Sequence, residues 1–366
     1  MKTPYLVFDE RVYHHNLNIL KSVSDNTGCK FLLSLKAYIP YHSASLTNKY
    51  FDGVSCSSLN EYRIAEEYFN LKNHFYCPAF SETDLIETCS EVVVFNSIQQ
   101  YKEFYHLVPN KTHKHLRINV EYKTETSYNP NLPYSRLGIT NAELDRSVLG
   151  GINGVLIHSL CDQGSEELSE IVDILENNFS DVLHQIKYLN LGGGHAITHP
   201  NYNIDKLEKL LNYISNKYNV QVILEPSEYV FYGVGKMKTK VLSVFKNDKN
   251  IAILDSSVYN HMPTILEHDK FEWSIEEGKP NEELEHVYIL GGPSCLSNDV
   301  FGSASFNSPL KVGDVITLTN QAPYASTRSN WFNGVRKPGL QVLDLNGEIK
   351  LTKDDTYESY LKSIIQ

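Results

Sequence analysis

Phe31-Leu32-Leu33-Ser34-Leu35-Lys36 decides how the rest of the chain is read. Its first five residues are a short, continuous, mainly apolar run, the pattern of a strand buried on both faces. The chain then turns polar within a few residues. A lysine at the carboxyl end of such a strand stands at the mouth of a parallel sheet, half out of water. Desolvation favours its neutral amine over the ammonium, and a neutral amine can form a Schiff base. Most lysines at strand ends are merely solvated, so the spacing of the later apolar runs and their end residues decides.

Outward from that run the same unit recurs. Further strands are predicted at Gly53–Cys56, His74–Cys77, Val92–Phe95, His115–Asn119, Gly154–His158, Ile186–Leu191 and Val220–Glu225, eight in all with Phe31–Leu35. The segments between carry helix signals. Ser58 with Glu61 and Thr140 with Glu143 have capping-box spacing, and Ser81 with Asp84 is a weaker case. Leu168, Ile171, Val172, Ile174 and Leu175 fall at helical spacing, and Leu207, Leu210, Leu211 and Ile214 share one helical face. Eight strand–helix units predict a closed (β/α)8 barrel over residues 11–235. An open doubly wound sheet would need an edge strand, and all eight runs read as similarly buried.

After residue 236 the pattern changes to β-like runs at Lys238–Phe245, Ile251–Asp255, Val287–Leu290, Val315–Asn320 and Gly339–Asp344. Asn346-Gly347 is a hairpin signal, since both residues tolerate positive φ. A second, mainly β domain is predicted over 236–366, joined by the N-terminal strand within 1–10, with a helix in the last dozen residues.

Composition narrows the function. The chain has 366 residues, 41% hydrophobic and 21% charged, with a formal net charge of −11. Without a basic block, nucleic acid and anionic membrane are not expected as partners. No run reaches the length of a membrane span. Met1-Lys2-Thr3-Pro4 leads straight into a strand and reads as no signal peptide. Six cysteines without a CxxC pair read as reduced thiols, and the expected location is the cytoplasm. No metal site is read. His195 and His199 are four apart on a loop, and His113 with His115 reads as a strand face.

Barrel active sites form at the carboxyl ends of the strands, with phosphate commonly bound after strands 7 and 8. On that rim the pattern puts Lys36 after strand 1, His158 after strand 6, Gly192-Gly193-Gly194 after strand 7 and Glu225-Pro226 after strand 8. Glycines let an anion approach backbone N–H groups, although a glycine triplet is often just a turn. Glu225 could face a protonated ring nitrogen, a part Glu228 could also play. His158 could lie flat on an aromatic ring or be structural. An amine for an aldehyde, glycines for a phosphate and an acid for a ring nitrogen together describe pyridoxal 5'-phosphate. Gly291-Gly-Pro-Ser-Cys295 reads as a tight loop holding a thiol, or as a buried filler, and Tyr324 could reach a phosphate.

The chain resembles the pyridoxal-phosphate decarboxylases of the alanine-racemase-like fold, most of all their carboxynorspermidine/carboxyspermidine branch. The stretches that carry this are Thr3–Asp9, Leu33–Lys36, Asp52–Leu59, Phe95–Ile98, Tyr134–Gly138, Leu191–Gly194, Leu224–Pro226, Asp255–Ser257 with His261-Met262, Ser294–Leu296 with Asp299–Gly302, and Asn330–Gly334. They run in order through nearly the whole chain. The resemblance implies a homodimer with shared sites. In it Lys36 carries the cofactor, His158 stacks on its ring, Gly192, Gly193, Gly194 and Tyr324 hold the phosphate, Glu225 pairs with the ring nitrogen, and the partner subunit's Cys295 is the acid. Arg136 falls beside the cofactor. Asp299, His261, Asp255 and Glu228 fall on the substrate side.

Three departures stand out. Ser227 replaces a family glycine after Glu225-Pro226, and its Cβ threatens to push the phosphate loop. Pro293 replaces a lysine expected in that branch. Ser159–Gln163 replaces an asparagine-rich run. The expected activity is decarboxylation of an amino acid bearing a distal amine. Ornithine, lysine, diaminopimelate or a metallophore precursor remain alternatives, as do a racemase and a non-catalytic regulator.

Overall fold

A computed structural model describes residues 1–123, 129–267, 271–324 and 326–365. By Cα packing the chain divides into two units, one formed by Asn16–Val230 and the other by Met1–His15 with Phe231–Gln366.

The first unit is a closed barrel. Strand β1 (Tyr5–Asp9) belongs to the other unit, and the barrel is built from β2 (Lys30–Ser34), β3 (Gly53–Cys56), β4 (Lys72–Tyr76), β5 (Val92–Phe95), β6 (His113–Ile118), β7 (Gly154–Ile157), β8 (Tyr188–Asn190) and β9 (Gln221–Leu224). Each pairs in parallel with the next, and β2 closes on β9 through Lys30↔Ile223 and Phe31↔Leu224. The predicted barrel is therefore present, with strand ends shifted by two residues at most.

The connections are less regular. Ser81 and Asp84 make the full reciprocal capping box, and Ser58 accepts the Glu61 N–H. Thr140–Glu143, predicted to start a helix, instead forms a turn, and Arg146–Gly151 is a 3-10 segment with Asp145 at its start. The motif matched, but no amphipathic run comes after it to bury against the barrel.

The barrel interior carries histidines. His74 on β4 and His115 on β6 meet edge-on at 6.5 Å, and His115 stacks on Tyr188 of β8 at 5.7 Å. Side chains of alternate strands meet this way only inside a closed barrel. Neither ring nitrogen of His115 has a hydrogen-bond partner among the described residues, nor does His74 Nδ1. Burial lowers both pKa values, that of His74 to about 3. The unfolded chain, with histidine near the ordinary ~6.5, then binds more protons between the two values. Stability should fall as pH drops below ~6.5, by up to roughly 1.4 kcal/mol per pH unit for each such histidine. Urea midpoints at pH 7 and pH 5 test this. The difference should shrink in His74→Asn, and an unchanged difference would contradict the account.

The second unit is a nine-stranded sheet. It adds β10 (Gly235–Asn247), β11 (Lys249–Leu254), β12 (Gly278–Lys279), β13 (His286–Gly291), β14 (Val300–Phe306), β15 (Val315–Leu318), β16 (Gly339–Leu343) and β17 (Ile349–Lys353). Strand order is β12-β14-β13-β11-β10-β1-β16-β17, with β15 on β10. Strand β1 lies between β10, antiparallel, and β16, parallel. The Asn346-Gly347 turn joins β16 to β17, with the Asp344 carboxylate accepting from the Asn346 and Glu348 N–H groups. Helix Tyr357–Ile364 comes last. Among the described residues no helix is long and apolar enough to cross a membrane.

Candidate active site

Lys36 lies just beyond β2 on a tight turn, and its side chain is open to solvent in the barrel mouth. That mouth is crowded by protein. Crowding lowers the pKa of its amine, the positive charge of Arg117 lowers it further, and Cys161, Glu228 and Glu225 oppose both. An amine held this way loses its proton more easily than a solvated lysine, and the neutral form is the one able to attack a carbonyl.

Three loops are sewn together opposite it. After β8, the Gly192 N–H donates to Asn190 Oδ1 at 2.9 Å and the Gly193 N–H to His158 Nδ1 at 3.0 Å. The Glu225 N–H reaches back to the Gly192 carbonyl at 2.7 Å, and the Gln163 N–H to that of Gly194 at 3.1 Å. Two of the triplet's three N–H groups are thus spent inside the fold. Those of Gly194 and Ser227 have no partner among the described residues. The glycines are also needed for space. Gly192 and Gly194 have φ of +70° and +82°; a Cβ on the first would lie 2.5 Å from the Ile157 carbonyl oxygen, and one on the second would strike the Leu160 carbonyl.

Glu225 is half-buried beyond β9. Burial pushes its carboxyl up, while hydrogen bonds from Asn190 and Ser55 and the charges of Lys36 and Arg117 hold it down. Asn190 is wholly buried and donates to Glu225 Oε1 at 2.6 Å, so one amide ties the carboxylate to the glycine loop. Because His158 Nδ1 accepts a hydrogen bond, the proton of the neutral ring sits on Nε2. Burial and the charges of Lys36 and Arg117 put its pKa well below the usual value. Glu228 is half-buried, its pKa raised by burial and then by the charge of Asp162.

Arg117, on β6, escaped the sequence reading. It is 4% exposed, donates to Tyr76 Oη at 2.6 Å and to the His158 carbonyl at 3.3 Å, and has no carboxylate in ion-pairing range among the described residues. A buried cation without an anion is costly. Asn190, Ser55 and Tyr76 escaped it too. Arg136 is exposed, and its carbonyl accepts from Asn96 Nδ2 at 2.8 Å.

These residues suit pyridoxal phosphate. A reachable amine of lowered pKa faces the mouth, two unspent N–H groups and an unpaired guanidinium can meet its negative charge, and a carboxylate can meet its ring nitrogen.

The remaining predicted residues belong to the sheet unit. Cys295 is exposed on the loop after β13, its N–H held by Asn333 Oδ1 at 2.8 Å. Asp299 is buried and shapes that loop. Its Oδ2 accepts from the Ser294 N–H and hydroxyl, and its Oδ1 from the Ser257 hydroxyl at 2.8 Å. His261 is buried, its Nδ1 accepting the Ser257 N–H at 3.1 Å. Asp255 accepts from Thr239 Oγ1 and the Lys240 N–H. Tyr324 takes a left-handed backbone, φ +60°, with the Arg328 guanidinium 5.9 Å from its ring centre.

The profile described as "Pyridoxal-dependent decarboxylase, C-terminal sheet domain" matches residues 94–322. The chain is 35% identical to a carboxynorspermidine/carboxyspermidine decarboxylase of Campylobacter jejuni, over 98% of each chain. It is 30% identical to a carboxyaminopropylagmatine decarboxylase of Synechocystis, over 98% of this chain and 95% of that one. Among solved structures it is similar to the Campylobacter jejuni carboxynorspermidine decarboxylase complexed with norspermidine, with TM-score 0.91, 33% identity, and 99% and 100% of the two chains covered.

Proposed function

This chain belongs to the pyridoxal-dependent decarboxylases, and we propose that it removes the carboxyl group of carboxynorspermidine or carboxyspermidine to give the polyamine. One observation carries the choice of substrate. The likeness to the Campylobacter jejuni enzyme runs from end to end, through barrel and sheet alike.

The residues divide the work. Lys36 supplies the amine that holds the cofactor aldehyde. The Gly194 and Ser227 N–H groups hold its phosphate, with Gly192 and Gly193 shaping the loop and Tyr324 and Arg136 assisting. Arg117 would balance negative charge, His158 would face the cofactor ring, and Glu225 would meet its ring nitrogen. Bound pyridoxal phosphate supplies the electron sink for the bond that breaks. Glu228 with Asp162 receives an ammonium of the substrate, since a cation relieves the repulsion between two crowded carboxylates. Asp299, His261 and Asp255 order the substrate side of the sheet unit. Cys295, offered by a second copy in a homodimer, delivers a proton to the α-carbon. Six free cysteines fit a reducing compartment, the cytoplasm.

The Synechocystis relative favours a second reading, a substrate ending in a guanidinium. A panel of carboxynorspermidine, carboxyspermidine, carboxyaminopropylagmatine, diaminopimelate, ornithine and lysine tests both. Carbon dioxide release is measured, and the amine product is identified by mass spectrometry. The first two should give the highest kcat/KM. A preference for diaminopimelate or ornithine would overturn the proposal.

A further inference from the structure

The barrel is least continuous where it closes. Strands β2 and β9 share only two residue pairs, and β9 ends at Leu224, so regular pairing on that side of β2 stops at Phe31. On its other side β2 stays paired with β3 through Ser34, and the Leu35 N–H adds a bond to the Ser55 carbonyl at 3.2 Å. Lys36 would therefore stand on a strand end anchored along one edge only.

Two hydrogen bonds re-close the seam, both at Ser34. Its N–H donates to the Pro226 carbonyl at 3.4 Å, which is long. The Ser227 hydroxyl donates to its carbonyl at 2.8 Å, which is short and buried. Ser227 also starts the 3-10 segment Glu228–Phe231, its carbonyl accepting the Val230 N–H at 3.1 Å. The hydroxyl thus joins the peptide two residues before Lys36 to the peptide two residues after Glu225. A glycine at 227 would leave only the long bond.

We propose that Ser227 is a positioning residue whose hydroxyl fixes the Lys36-bearing end of β2 against the Glu225-bearing end of β9. The serine side chain is turned toward β2 and spent there. This inference rests on reading Lys36 and Glu225 as the cofactor's partners.

The test uses apo-protein titrated with pyridoxal phosphate, without substrate. Cofactor affinity and the pH midpoint of the visible absorbance are read for Ser227→Ala, Ser227→Gly and Ser227→Thr. Losing one buried hydrogen bond should weaken affinity by about 2- to 10-fold in the first two, and the pH midpoint should move. Ser227→Thr, which keeps the hydroxyl, should restore both. A lowered Tm with neither affinity nor pH midpoint altered would show a merely structural serine and overturn the inference. If Ser227→Ala does not fold, an affinity in Ser227→Gly equal to that of the parent overturns it equally. Failure of the site reading itself looks different: the parent protein would bind the cofactor without a Lys36-dependent absorbance.

Discussion

Lys36→Ala should remove the visible absorbance of the bound cofactor and lower carbon dioxide release by ~10⁴-fold or more, because this amine is the cofactor's covalent anchor. The substitution should leave the fold intact. Lys36 has no ion pair among the described residues, and its side chain faces solvent rather than the core. Unchanged circular dichroism with both losses is the expected pattern. Release at the parent rate would show that Lys36 does not act in this chemistry. Loss of release with full absorbance would move the anchor to another amine.

Cys295→Ala should act differently. It should slow turnover by ~10²–10⁴-fold, the range for a positioned proton donor, and leave the cofactor absorbance as it was. Its loop is held by Asp299 and Asn333 rather than by the thiol, so the loop should keep its shape. Mixing separates a shared site from a self-contained one. If Cys295 serves the barrel of a second copy, Lys36→Ala and Cys295→Ala chains exchanged in equal amounts form mixed dimers for half of the population. Each mixed dimer holds one intact site of two, so about a quarter of the parent activity should return. No recovery, once exchange is shown by mass, would mean that each chain uses its own cysteine.

Much of the barrel was readable because its strands are short, nearly unbroken apolar runs closed by polar turns, a pattern that survives without tertiary context. Strand β14 was not, because Val300-Phe-Gly-Ser-Ala-Ser-Phe306 is mostly small residues that a lone chain would also place in a loop. β12 has two residues and exists only by pairing with β14. At the site, rim residues stood out because they break a hydrophobic run at its end. Arg117 and Asn190 are polar residues inside strands, in His-Leu-Arg-Ile and Leu-Asn-Leu. Their inward direction comes from strand alternation, so a polar residue inside an otherwise apolar strand was the available signal. No pattern announces the Ser227 bond to Ser34, since it joins residues 193 positions apart.

The place of Tyr5–Asp9 bears on biosynthesis. This segment leaves the ribosome before the barrel strands, yet its neighbours in the sheet, β10 and β16, appear only after residues 235 and 339 have been made. Asn16–Val230 can assemble in that interval, while the opening strand waits with its backbone donors and acceptors unmet. Because it sits mid-sheet, its absence would bare two raw edges instead of one, each a template for a neighbouring molecule. Nascent chains stalled before residue 339 are the ones most exposed to clumping, and a chaperone that shields Tyr5–Asp9 would protect them.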